Sequence, residues 1–198
     1  IQRSPRILSG IEADIAQVVH KRLEKLGTHI FLDSVVESAI IKKSGVLVNI
    51  STQGKKMELS APKALVALGR TPNTGDLRLE NTKVLLDENG FVRINQFCQT
   101  AEPAIFAIGD VTGPPLLAHR ASAMGRVCAE VIAGNKAAFD NVAIPNVVYC
   151  DPEIATVGLS EVDAKQKGVE AIVGQFPFLA LGRAVASRET DGFVRVIA

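Results

Sequence analysis

Ala107-Ile108-Gly109-Asp110-Val111, followed after a Gly-Pro-Pro turn by Leu117-Ala118-His119-Arg120-Ala121, is the stretch on which the fold reading turns. The apolar run over 105–108 reads as a buried strand that stops at Gly109-Asp110. A long helical pattern begins at about Ala118 and continues to about Ile132. A carboxylate at the end of a buried strand, beside a helix N-terminus, is a place to hold a polyhydroxylated cofactor. The acid accepts hydrogen bonds from hydroxyls, and the free N–H groups of the first helical turn can face an electron-rich ring.

Small residues (Ala121, Ser122, Gly125, Ala129) lie along one side of this helix and allow close packing against a sheet or a bound cofactor; Gly134 supplies its C-cap. Towards the start, Ile15, Val18, Val19, Arg22, Leu23 and Leu26 fall at helical spacing, with Asp14 as N-cap and Gly27 just past the end. A short strand over 29–32 follows, and helix-then-strand order belongs to α/β layering. Segments 46–51 and 56–59 flank Gln53-Gly54 and predict a hairpin, with Lys42-Lys43 and Lys55-Lys56 at its solvated ends. Residues 65–68 read as a buried strand ending at Gly69, and 91–94 as another strand. Residues 136–145 read as a linker, with a domain boundary near Asp140. Beyond it the pattern predicts strands over 154–157, 171–176 and 192–197, and a helix over 161–166 capped by Ser160.

Composition narrows the function classes. The 22 basic and 21 acidic residues nearly cancel, and no basic stripe with interleaved aromatics occurs, so nucleic acid is not expected as a partner. The longest uncharged stretch, 171–182, has 12 residues including Pro177 and two glycines, too short and broken for a membrane span. Cys98, Cys128 and Cys150 are odd in number and widely spaced, which offers neither a zinc pattern nor a disulfide framework. They fit a reducing compartment, with Cys98 and Cys128 as buried small residues. No metal site is expected.

The opening stretch resembles the second flavin-binding segment of the pyridine nucleotide–disulfide oxidoreductases. Further segments resemble that family in the expected order: Ala67-Leu68-Gly69-Arg70-Thr71-Pro72-Asn73, Ile144-Pro145 through Asp151-Pro152-Glu153-Ile154-Ala155-Thr156-Val157-Gly158, and Phe176-Pro177-Phe178. The resemblance covers nearly the whole chain and is nearest to the branch that oxidises dihydrolipoyl groups with NAD. It implies an α/β fold: residues 1–70 as the C-terminal part of a Rossmann-like NAD-binding domain, 71–140 as the return segment of the FAD domain, and 141–198 as the start of an α+β dimerisation domain.

The resemblance also implies cofactors, FAD and NAD, and roles for particular residues. Asp110 would bond a ribityl hydroxyl of FAD, and Leu116, Leu117, Ala118 and His119 would approach the pyrimidine end of its ring through the backbone. Gly69 and Val36 would touch NAD, although Gly69 also reads as a turn glycine and Val36 as strand core. Arg70 and Asn73 order a loop between the cofactor domains or lie on a solvated surface; His20 and His29 read as structural or surface residues. No Gly-x-Gly occurs anywhere, no cysteines are close enough to pair, and no C-terminal His-Glu pair is found. The family carries its fingerprints, redox disulfide and proton relay there, so the chain is expected to be a fragment of a longer enzyme, with no catalytic residue of its own and inactive alone.

The enzyme so implied is a homodimer serving the lipoyl domains of 2-oxoacid dehydrogenase or glycine cleavage complexes, in the bacterial cytoplasm or the mitochondrial matrix. Three other readings stay open. The chain could come from a glutathione reductase, mercuric reductase or soluble transhydrogenase branch. It could be a non-catalytic assembly module, or a relative that binds FAD without a disulfide.

Overall fold

Gln53 and Gly54 both have positive φ, 49° and 75°. That is the conformation of a type I′ turn, whose twist matches that of paired strands. The turn sets the first sheet: β1 (Ser34–Lys42), β2 (Gly45–Thr52) and β3 (Lys55–Ala61) form an antiparallel meander in the order β1-β2-β3. The predicted hairpin is present, and β1 is an addition to it. Ile50 and Leu47 on the central strand are buried, while β1 is exposed along all but its first residue.

The computed structural model describes residues 1–198, which divide into two units: Ile1–Val66 with Val147–Ala198, and Ala67–Asn146. The first unit opens with α1 (Ala13–Lys25). Its N-cap is Glu12 and not Asp14 as expected; Asp14 lies one residue inside, where its carboxylate accepts from the Ile15 N–H and pairs with Arg195. The C-terminus closes as a Schellman motif: Thr28 N–H reaches Leu23 O (3.0 Å) and Gly27 N–H reaches Glu24 O (2.9 Å), with Gly27 at φ 84°.

The apolar stripe of α1 packs within this unit. Val19 and Ile11 cluster with Ile154, flanked by Leu23, Val148 and Cys150. Ile154 begins β5 (Ile154–Thr156), paired with β4 (Asn146–Val148). Then come α3 (Glu161–Gln166) with a Ser160–Asp163 capping box, β6 (Val173–Pro177), α4 (Gly182–Ser187) and β7 (Phe193–Ile197), with β6 and β7 antiparallel. Arg195 on β7 joins these pieces. Its guanidinium pairs with Asp14, Glu12 and Glu161, bonds Gln175 Oε1 (2.8 Å) and lies 5.0 Å from the Phe193 ring centroid.

The second unit is built on α2 (Ala118–Ile132), which has the predicted bounds. Gly134, at φ 84°, follows the C-cap Ala133 in a second Schellman motif. Met124 and Cys128 on α2 pack with Cys98, beside Ile94, Phe106 and Phe139. Cys98 itself has φ 59°, held by the Asn95 side chain, whose Oδ1 accepts from the N–H of both Phe97 (2.9 Å) and Gln99 (3.1 Å).

Four expected strands do not form as ladders. Segment 29–32 exchanges one backbone bond, Gln2 N–H to Phe31 O (2.8 Å). Segments 91–94 and 105–108 carry single bridges, Leu86↔Val92 and Gln99↔Phe106. Segment 65–68 is neither paired nor buried: Leu65 is 94% and Leu68 92% exposed. An apolar run states that a segment seeks cover, but a strand also needs a neighbour to accept and donate backbone bonds. Segments 91–94 and 105–108 find such a neighbour only over a single bridge each, and 65–68 finds none. No helix is long and apolar enough to cross a membrane.

Candidate functional site

Gly109 ends the extended segment at φ 75°, and a Cβ there would stand 3.1 Å from Ala121 Cβ on α2. Glycine thus lets the segment lie against the first turns of the helix. Residues Gly109–Thr112 then make a single 3-10 turn. Arg120, the third residue of α2, is only 8% exposed and directs its guanidinium back onto this turn. Nη1 donates to Gly113 O (2.8 Å) and Gly109 O (3.4 Å), and Nη2 donates to Thr112 Oγ1 (3.1 Å). The Thr112 hydroxyl donates in turn to Gly109 O (2.7 Å).

Asp110 is the exposed side chain of this turn. It borders a cavity of ≈ 260 Å³ together with Val111 and Leu116; Arg70, Thr71, Pro72, Asn73 and Phe91 line the other sides. Arg70 Nη1 stands 3.5 Å from Asp110 Oδ2, with side-chain exposures of 73% and 51%. A pair so wet contributes about 0–1 kcal/mol, so a ligand hydroxyl can displace it at little cost.

The start of α2 follows immediately on Leu116. Its N-cap is Leu117, which has no side-chain acceptor, and the first turn contains no acid. The leading N–H groups are therefore open to a ligand's electron density. His119 Nε2 is 2.7 Å from Pro145 O. A carbonyl only accepts, so this nitrogen carries the proton and ties the helix start to the segment before β4.

The predicted site residues fall into three groups. Asp110 and Leu116 meet at one cavity, and Leu117, Ala118 and His119 continue from it as the uncapped helix start. Gly69 precedes Arg70 at φ 124°, and nothing in this chain lies within 4 Å of a Cβ built on it. Val36 lies in the other unit, on edge strand β1 beside a bulge between Val36 and Ser38, and is 46% exposed. Its reading as strand core is corrected by that exposure: every residue of β1 after Ser34 is exposed. Arg120 and Thr112, which hold the turn beside Asp110, are not apparent from the sequence. Their types and positions were visible, but not the burial that turns an arginine inward.

None of the three cysteines lines the cavity. Burial pushes the Cys98 thiol up, and burial likewise raises Cys150. A thiol so raised is a poor nucleophile at neutral pH. No group of three or more His, Cys, Asp or Glu side chains converges as a metal site.

Residues 1–125 match the pyridine nucleotide-disulphide oxidoreductase family, and residues 144–198 match the dimerisation domain of the same family. The chain belongs to the pyridine nucleotide-disulphide oxidoreductases. Among curated relatives it is similar to dihydrolipoyl dehydrogenase from Geobacillus stearothermophilus, 42% identical over 197 residues that make up 100% of this chain and 42% of that protein. It is also 44% identical over 193 residues to dihydrolipoyl dehydrogenase 2 of Haloarcula marismortui, covering 97% of this chain and 41% of that one. Among solved structures, the HOCl-induced flavoprotein disulfide reductase RclA of Escherichia coli superposes with a TM-score of 0.89 at 26% identity, over 99% of this chain and 45% of that one. LpdA of Mycobacterium tuberculosis gives 0.84 at 28% identity, over 94% and 40%. The chain thus spans well under half the length of the relatives it matches. The α/β fold class and the family resemblance read from the sequence are borne out.

Proposed function

We propose that this chain is part of a homodimeric dihydrolipoyl dehydrogenase, which oxidises dihydrolipoyl groups with NAD through FAD. The observation that carries the reading is the Asp110 corner: an exposed carboxylate borders a cavity together with Leu116, and the uncapped start of α2 follows directly on Leu116. The relatives' names and the high identity across the whole chain support the same reading.

The residues fit one portion of FAD. Asp110 has free acceptor capacity for a ribityl hydroxyl, and the cavity beside it takes a segment of the cofactor, not all of it. Leu116, Leu117, Ala118 and His119 present backbone groups where the ring's pyrimidine end would lie. The helix start carries about half a positive charge. That partial charge stabilises negative charge at that edge. Bound there, FAD supplies two-electron transfer between a dithiol and a nicotinamide.

In this reading residues 1–70 belong to the NAD domain, 71–140 to the FAD domain and 141–198 to the dimer interface. Gly69 and Val36 serve NAD, and the reacting thiols and proton relay come from other parts of the enzyme. The 198-residue chain alone is then inactive. Lipoyl domains of 2-oxoacid dehydrogenase or glycine cleavage complexes are the partners, and the bacterial cytoplasm or mitochondrial matrix is the compartment.

The test is substrate preference of the full-length protein. Reduction of NAD by dihydrolipoamide, at rates far above reduction of glutathione disulfide or Hg(II) by NADPH, supports the proposal. The opposite order would assign the chain to another disulfide reductase branch.

A further inference from the structure

We infer that Arg120 is a positioning residue for the flavin site: its buried guanidinium fixes the Gly109–Gly113 turn so that the Asp110 carboxylate faces the cofactor. The inference rests on the FAD reading above and adds a residue that touches no cofactor itself.

Two observations carry it. Arg120 is buried although none of its acceptors is a carboxylate: they are two main-chain carbonyls and one hydroxyl, at 2.8–3.4 Å. Arginine is almost never buried without a charged partner, because desolvating its charge is costly. Here the cost is met by three acceptors that all belong to the turn flanking Asp110, so the planar fork holds both ends of that turn at once. The second observation is the interlock with Thr112, whose hydroxyl accepts from Nη2 and donates to Gly109 O. Gly109 O, Thr112 Oγ1 and Gly113 O thereby share one donor group. The Asp110 carboxylate lies between them with no partner in the chain beyond the exposed Arg70 pair. Its direction is set by the backbone on either side.

The reading predicts coupling. If Arg120 acts through Asp110, removing the fork matters only while the carboxylate is present. A general packing role would lower affinity equally in both backgrounds. The experiment uses the full-length flavoprotein, stripped and retitrated with FAD, as wild type, Arg120→Met, Asp110→Ala and the double variant. Loss of charged hydrogen bonds predicts roughly tenfold or greater weakening in Arg120→Met. In the Asp110→Ala background the same change should cost less than about threefold further. Equal losses in both backgrounds overturn the inference, as does unchanged affinity in Arg120→Met.

Thr112→Val keeps the shape, removes one acceptor of the fork and serves where Arg120→Met does not fold. It should speed hydrogen exchange at the Gly113 amide, measured without flavin, and weaken FAD in the same direction. Unaltered exchange and unaltered affinity in this variant also overturn the inference. Wild-type protein that takes up no FAD at all refutes the underlying FAD reading instead, so the two failures are told apart.

Discussion

Gly109 occupies a left-handed conformation in a place where its missing Cβ is also a packing requirement. Both demands predict that Gly109→Ala destabilises the protein by about 1–3 kcal/mol. Urea denaturation would show a lower midpoint at unchanged slope, and an unchanged midpoint would contradict the geometry. Cys98 and Cys128 are buried and Cys150 half-buried, so iodoacetamide should label Cys150 first and the other two only on unfolding, as read by mass spectrometry. Asp110 was legible as a candidate because a strand-end acid before a glycine-proline turn and a helical pattern is a local signature. Arg120 was not legible. Its neighbours in sequence are those of an ordinary helix surface, and only the return of the Gly109–Gly113 turn brings acceptors within reach.

Helices were read well, and strands poorly, for a physical reason. A helix satisfies its backbone within itself, so the pattern over 118–132 and the Ser160 cap suffice to place α2 and α3. A strand depends on a neighbour that periodicity does not name, and 29–32, 65–68, 91–94 and 105–108 found none or a single bridge. The hairpin was legible because its turn residues declared it. α4 gave no signal: it has six residues, begins at Gly182 and has no side-chain cap. Gln53 holds φ 49° without the ease that asparagine has there. Gln53→Asn should therefore stabilise the protein by about 0.5 kcal/mol, raising the thermal midpoint; a fall would contradict the type I′ assignment.

The Arg195 junction among α1, α3 and the β6–β7 hairpin makes an acid-dependent contribution. Its hydrogen bond to Arg195 holds the Asp14 carboxyl below its ordinary value of 3.8 in the folded chain. The unfolded chain binds that proton more readily. The contribution is therefore complete above about pH 4 and is lost as pH falls through the lower folded value. Arg195→Met should reduce stability at pH 7 and flatten the stability loss below pH 4. An identical acid profile in the variant would show that the pair contributes nothing.

At the scale of the whole molecule, the chain carries large apolar residues that nothing within it covers, Leu65, Leu68 and Ile172 among them. It also spans 42% or less of the curated relatives named above. With one portion of the proposed flavin site here and the rest elsewhere in the enzyme, the 198-residue chain alone should not retain FAD through gel filtration. Stoichiometric yellow protein from this chain would contradict that division. The most direct measurement is the FAD dissociation constant of the full-length apoprotein with and without the Asp110 carboxylate. Saturable binding that weakens about tenfold or more in Asp110→Ala is expected, through loss of a charged acceptor; equal constants for the two proteins would place the flavin away from this corner.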